Sequence, residues 1–469
     1  MTATRMRAND GMNAPGHLPR GRRCGWASWV AAAASVGTAA EPSAPIVDAV
    51  VRHALSSPDG SAAFTFVPGD FTATTRDLPI GVFDSGIGGL TVLEAILAAD
   101  AFDNRTLKPV PDGRSDFAGE RFIYLGDQAN MPYGNYPREG NEPFLRELIL
   151  KDTVFLLGRR FWPAPDAAAP TLDKPPVKAV VIACNTATAY GLDDVRTAIR
   201  AWGIPVFVVG VVEAGARGVL ESERDAVGRH ESIAVLATVG TCASKAYPKA
   251  IQAAFGRAGR QAPEVVQRGS ADLAAAIEGD PAVTARTSVE EAIAADLRGL
   301  MDEHRRTAVD QPVGTIVLGC THFPLVRRQI VAELDRLRRL EEQGERPFAG
   351  LIAEEIEVVD LASLTAKELF RTLALERLRA TAATAADPAA NASSAADAEN
   401  PHRFYISVVA ASPPDATAEA PWQQAKFRRP TGRLDREDTR VVPLRADMLL
   451  PQTTEMIRGR LPHVGRFLR

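Results

Sequence analysis

Residues 177–189 read VKAVVIACNTATA, and residues 314–325 read GTIVLGCTHFPL. Each is an unbroken apolar run that stops at a cysteine, Cys184 or Cys320. A hydroxyl or amide residue follows, then a helix-start signal. Continuous apolar runs, as opposed to alternating ones, mark strands buried on both faces. Strands of that kind belong to parallel sheets covered by helices. Two such junctions predict two like α/β halves, each presenting a cysteine at the carboxyl end of a strand. Ligands of open α/β sheets bind beyond those ends.

The rest of the chain agrees with this pattern. LPIGVFDSGIGGLTVLEAIL (78–97) reads as strand, glycine-rich turn and amphipathic helix, and RFIYLGD (121–127) as a further strand. IPVFVVGVV (204–212), SIAVLAT (232–238) and EVVQRG (264–269) repeat the strand character, with helical patterns between them. Residues 97–120, 162–176, 380–402 and 408–421 are polar, Pro-rich or Ala-rich and read as flexible loops or linkers. The segment 422–469 is rich in Arg and Pro and only weakly patterned.

Composition excludes several functions. The 469 residues carry 54 basic and 58 acidic side chains, a net charge of −4, and only 6% aromatics. That balance offers no footprint for nucleic acid or an anionic membrane. The four cysteines, Cys24, Cys184, Cys242 and Cys320, include no CxxC pair, and no HExxH, EF-hand or His-rich cluster is present. Neither a disulfide framework nor a metal centre is therefore expected, and the cysteine usage fits a reducing, cytoplasmic setting. Residues 1–76 read as an extension, disordered or a targeting segment. WASWVAAAASVGTAA (26–40) resembles a signal peptide with TAA as its cleavage site, although it is too short to span a membrane. Met6 and Met12 are alternative starts.

The candidate site residues lie at the strand ends. A lone cysteine after a buried strand is most often a small core residue. Two in matching contexts argue for chemistry. Cys184 opens a helix, where the dipole lowers a thiol pKa; Asn185 and Thr186 beside it can hydrogen-bond a ligand. Cys320 has Thr321 and His322 beside it, and a histidine near a thiol can hand over protons. Asp84 and Ser85 end the first strand, so Asp84 can serve chemistry, cap the next helix, or do both. FDSGIGGL has neither GxGxxG spacing nor a Walker lysine. Tyr133 and Gly134 sit in the loop MPYG, and Glu213 follows the strand 204–212. Thr238, Thr241 and Ser244 form a hydroxyl cluster able to hold a carboxylate. Cys242, after a turn, reads as structural.

Taken in order, IGVFDSGIGGLTVL, YLGDQANMPYG, VVIACNTATA, VVEAGA, TVGTCASKAY and VLGCTHFPL resemble the motifs of glutamate racemases, in the cofactor-independent aspartate/glutamate racemase superfamily. The resemblance covers roughly residues 78–370. It implies two pseudo-symmetric, doubly wound parallel-sheet domains with the site between them: 78–208 plus 343–445 in one, 209–342 in the other, and 446–469 as a tail. It implies that Cys184 and Cys320 act as two bases in exchanging the α-proton of glutamate, which feeds peptidoglycan synthesis. Asp84 would assist Cys184, and Glu213 and His322 would assist Cys320. Asp84, Ser85, Tyr133, Gly134, Asn185, Thr186, Thr321 and His322 would contact substrate. No cofactor is implied. The expected partner is the amino acid substrate, and a homodimer is left open. The alternatives are another racemase of the superfamily, such as one for aspartate, and a catalytically quiet binding protein on this scaffold; retention of both cysteines speaks against the latter. This chain departs from the family at Gln128, where threonine is usual, at Ala214, where proline is usual, and in its added segments.

Overall fold

A computed structural model of the chain describes residues 45–71, 75–225, 231–307, 309–380, 401–411 and 421–468. The signal-like stretch and Cys24 lie outside the described residues. The described residues form ten strands: β1 Ile80–Asp84, β2 Phe122–Gly126, β3 Ala179–Ile182, β4 Phe207–Gly210, β5 Ser232–Thr238, β6 Val265–Ser270, β7 Val313–Gly319, β8 Ile352–Val359, β9 Arg403–Val409 and β10 Thr439–Pro443.

The strands make two sheets, ordered β10-β9-β2-β1-β3-β4 and β6-β5-β7-β8. All pairs are parallel except β10 against β9. The order β2-β1-β3-β4 in the first sheet is repeated as β6-β5-β7-β8 in the second. This is the internal symmetry expected of the two cysteine junctions. In both sheets the strand order reverses beside the first strand of the repeat, between β1 and β3 and between β5 and β7. That reversal is where open α/β sheets leave a crevice for a ligand. Every residue of β1, β2, β3 and β7 is buried, as the unbroken apolar runs require.

Helices complete each crossover. The helix Asn185–Trp202 follows β3 and ends at Gly203, which takes φ +67°, the left-handed conformation glycine adopts without strain. The helices Val211–Asp225 and Leu361–Leu375 follow β4 and β8 and pack on each other.

Four expectations differ from the structure. The extension is shorter than residue 76. The helix Pro45–Ala54 buries Val47, Val50 and Ala54 against the helices 142–157 and 185–202, and each buried valine contributes about 1.5–3 kcal/mol. The chain does not return to the first sheet at 343, because β8 pairs with β7; the first sheet is rejoined at β9, beside β2, with β10 after it. The loops 97–120 and 162–176 are tied down. Asp116 accepts the amides of Ala101 and Phe102, and Lys174, fully buried, donates to the carbonyls of Leu156 and Gly158. The tail is packed as well: helices Pro451–Arg460 and Pro462–Gly465 bury Ile457, Leu461 and Val464 in the core. Among the described residues no helix is long and apolar enough to cross a membrane.

Candidate active site

The carboxyl ends of β1, β3, β5 and β7 converge on one buried region. Cys184 caps the helix 185–202: its Sγ accepts the amide of Ala187 at 3.4 Å. The same sulfur lies 3.6 Å from Ser85 Oγ. Burial pushes this thiol up from its ordinary value and the charge of Asp84 adds to that, while the hydrogen bonds of Ala187 and Ser85 oppose it. The lowering expected at a helix start is therefore outweighed by desolvation.

Asp84 is completely buried. Its Oδ2 accepts the amides of Gly89 at 2.9 Å and Gly86 at 3.3 Å, whereas Oδ1 has no partner among the described residues. It thus both ties the glycine-rich turn and keeps one oxygen available. Burial raises its carboxyl, against the pull of the His322 charge and of the two amides. Asp84 is within electrostatic reach of both Cys184 and His322, so the two thiol neighbourhoods share it.

Around Cys320 the arrangement differs. His322 Nδ1 is 3.6 Å from Cys320 Sγ, and its Nε2 is 2.7 Å from Glu278 Oε1. Burial alone disfavours the imidazolium, but hydrogen bonds to Cys320 and Glu278, with their charges, prevail and hold the ring well above its ordinary pKa. Glu278 ends the short helix Leu273–Glu278 that follows β6. The glycine turn of the first sheet approaches closely: a Cβ on Gly88 would stand 2.4 Å from His322 Cε1 and 2.6 Å from Thr321 Oγ1. Thr91, just beyond, donates to the Thr321 carbonyl at 3.1 Å.

The hydroxyl cluster also spans the sheets. Thr186 lies 3.1 Å from Thr238 and 3.0 Å from Thr241, which are 3.0 Å apart. Ser244 is not part of it, since its hydroxyl donates to the Thr241 carbonyl within its own turn. Asn185 Oδ1 accepts the hydroxyl of Tyr247, whose ring also packs at Gly319 next to Cys320. Gly134 fits against Thr238 and Gly240.

Two expected residues are placed otherwise. Glu213 sits in the first turn of the helix 211–225, where Arg196 holds it through two bonds of 2.9 and 2.7 Å. Its bonds are thus to a guanidinium and not to His322; Glu278 is the carboxylate there. The Tyr133 hydroxyl is 2.6 Å from both Asp127 Oδ2 and Asp152 Oδ2, so any substrate contact falls to the main chain of this loop. Glu278, Gln128 and Tyr247 stand beside these residues without being expected there from the sequence. Glu278 lies 44 residues before His322, inside AAAIEGD, which carries no local signal of chemistry. Cys242 packs against the core, and burial pushes its thiol up to about 12. Cys184 and Cys320 are only 5% and 6% exposed, so the site is closed to solvent. Among the described residues no cluster of three His, Cys, Asp or Glu side chains could hold a metal.

Comparison with known proteins identifies relatives of this chain. The model of the Asp/Glu/Hydantoin racemase family matches residues 160–367. A glutamate racemase of Enterococcus faecalis is 33% identical over 253 residues, 53% of this chain and 68% of that protein. One of Limosilactobacillus fermentum is 30% identical over 254 residues, 54% of this chain and 71% of that protein. The crystal structure of glutamate racemase isoform RacE1 from Bacillus anthracis is 26% identical, covers 65% of this chain and 84% of that one, and superposes with a TM-score of 0.42. With both strand-end cysteines in place and relatives of this identity and coverage, the chain belongs to the glutamate racemases.

Proposed function

We propose that this protein interconverts L- and D-glutamate by a two-base mechanism without a cofactor. One observation carries the proposal. Two cysteines end equivalent strands, β3 and β7, of two sheets with the same strand order, and each has its own polar neighbours. One thiolate removes the α-proton from one face of the substrate, leaving a carbanion. The opposite thiol delivers a proton to the other face, and the direction of reaction decides which cysteine starts as base. With one proton taken and one given, the substrate keeps its composition and inverts its configuration.

The neighbouring groups have separate work in this reading. Asp84 and Ser85 serve Cys184, and the His322–Glu278 pair serves Cys320. Asn185, Thr186, Thr321 and the main chain at Tyr133–Gly134 orient the α-amino and α-carboxylate groups. The Thr186, Thr238 and Thr241 hydroxyls suit the side-chain carboxylate. A closed, dry site strengthens each of these interactions on the carbanion. We further propose two functional lobes, one built on each sheet, a cytoplasmic location, and supply of D-glutamate to peptidoglycan synthesis.

The test is incubation of the purified chain with L-glutamate in heavy water, following optical rotation and α-deuteration together. Loss of rotation with deuterium at the α-carbon is expected. Absence of exchange with glutamate but exchange with aspartate would transfer the assignment to that substrate. No exchange with either would leave a binding protein.

A further inference from the structure

One of the hydrogen bonds that join the two sheets at the site reaches the His322–Glu278 pair and has no part in the proton transfers above. Gln128 follows β2, and its Nε2 donates to Glu278 Oε2 at 3.1 Å. The other oxygen of Glu278 faces His322. One carboxylate is thereby held from two sides, by an amide of the first sheet and an imidazole of the second. The space for this contact is built. A Cβ on Gly86 would lie 2.6 Å from Met131 Sδ, 2.9 Å from Gln128 Oε1 and 3.3 Å from Glu278 Oε1. Only glycine leaves room there for all three.

The amide is held at a disadvantage to itself. Gln128 Oε1 is buried with no hydrogen-bond partner among the described residues, and a lone buried acceptor calls for an explanation. Turning the amide over would not relieve it, because its oxygen would then confront the acceptor-only carboxylate of Glu278. The side chain leaves its oxygen unpaired and aims its donors at Glu278 and at the Met131 sulfur.

We propose that Gln128 is a positioning residue of the racemase site, which holds Glu278 against His322 when the two sheets are closed around substrate. The bond crosses between the sheets, so it forms only when they approach. The nearly inaccessible thiols mean that substrate entry requires them to part. Closure then adds Gln128 to the Glu278–His322–Cys320 contacts, which lie within the second sheet. This inference rests on the reading that Cys320 and His322 act on the substrate.

The experiment compares Gln128→Met, which keeps length but loses the donor, with Gln128→Glu, measuring pH profiles of kcat/KM for the full chain with glutamate. The charged and titratable groups facing this cluster are Asp84, Cys184, Glu278, His322, Cys320 and the Tyr124 hydroxyl, with Asp127, Asp280 and Lys426 beside the loop that carries Gln128. Gln128→Met should fold and lose roughly tenfold in kcat/KM, the size of one hydrogen bond to a charged group. Gln128→Glu places a second carboxyl beside Glu278. That pair can share a proton at low pH and repels at high pH. Its kcat/KM should approach that of the parent at the acidic end and fall away as pH rises. A purely structural role would lower the melting temperature of both variants and leave the pH profile unmoved. Parent-like kinetics in Gln128→Met, or a Gln128→Glu profile either parallel to the parent or flat at background, would overturn the proposal. Cys320→Ser is measured alongside. If it is inactive while Gln128→Met is normal, the positioning role alone fails; if it is active, the reading of the site itself fails.

Discussion

His322 Nε2 stands 2.7 Å from Glu278 Oε1, and the opposite ring nitrogen stands 3.6 Å from Cys320 Sγ. The imidazole is thus the link between a carboxylate and a thiol. Among the described residues Cys184 has no such relay; its neighbours are Ser85 and, through charge, Asp84.

The thiols come first among the predictions. Cys184→Ala and Cys320→Ala should each reduce racemisation by at least about 10²–10⁴-fold, the usual contribution of a positioned acid or base. Polarimetry reads this in both directions. Full turnover in either variant would refute the two-base assignment.

Glu278→Gln should lower kcat/KM by about ten- to a hundredfold, since it removes a charge-assisted hydrogen bond of about 1.5–3 kcal/mol. The pH dependence should shift with it. The raised His322 pKa keeps the ring charged below that value and loses the charge as pH rises through it. Without the carboxylate that value drops, so the alkaline limb should move to lower pH. A limb that stays in place separates Glu278 from the titration.

Glu213→Gln should leave turnover unchanged. Its partner is Arg196, and both side chains are partly exposed, at 40% and 32%. Loss of such a pair costs about 0–1 kcal/mol, which thermal melting should register as a small shift. A large loss of kcat with an intact fold would restore Glu213 to the site.

His402 gives a stability prediction. It is buried between the rings of Phe122 and Phe467, and burial, with Arg466 nearby, lowers its pKa from 6.5 to about 4. The unfolded chain takes the proton first as pH falls. Stability from this group is therefore complete above pH 6.5 and declines towards pH 4, by about 3 kcal/mol. His402→Gln should flatten that part of the acid unfolding curve while retaining an acceptor for the Phe122 amide. An unchanged slope would show that other groups set the acid sensitivity.

Much of the fold was legible because its signals are local. Unbroken apolar runs ending at Asp84, Cys184, Thr238 and Cys320 reveal strands buried on both faces, and the residue after each run lies at the ligand-binding edge. What depended on tertiary direction was not legible. Glu213 follows a strand just as Asn185 does, yet its helix turns the carboxylate towards Arg196. Glu278 has no such junction and reaches His322 only because β6 and β7 flank β5 in the second sheet. The strand β8 reads IAEEIEVV, with exposed acids in mid-strand. Only its pairing with β7 shows which sheet it joins. The C-terminal helices carry sparse apolar residues, so their place in the core could not be read from periodicity.

The two sheets repeat one strand order, but their thiols have unlike neighbours: a serine and an aspartate on one side, a histidine and a glutamate on the other. Mirror-image substrates in water have equal free energy, so a reaction that only exchanges them has an equilibrium constant of one. Detailed balance then forces kcat/KM to be identical for the two enantiomers, whatever each half of the site contains. The chemical inequality of the halves can appear only in how that shared ratio is divided. One enantiomer is free to bind tightly and turn over slowly while the other binds loosely and turns over fast.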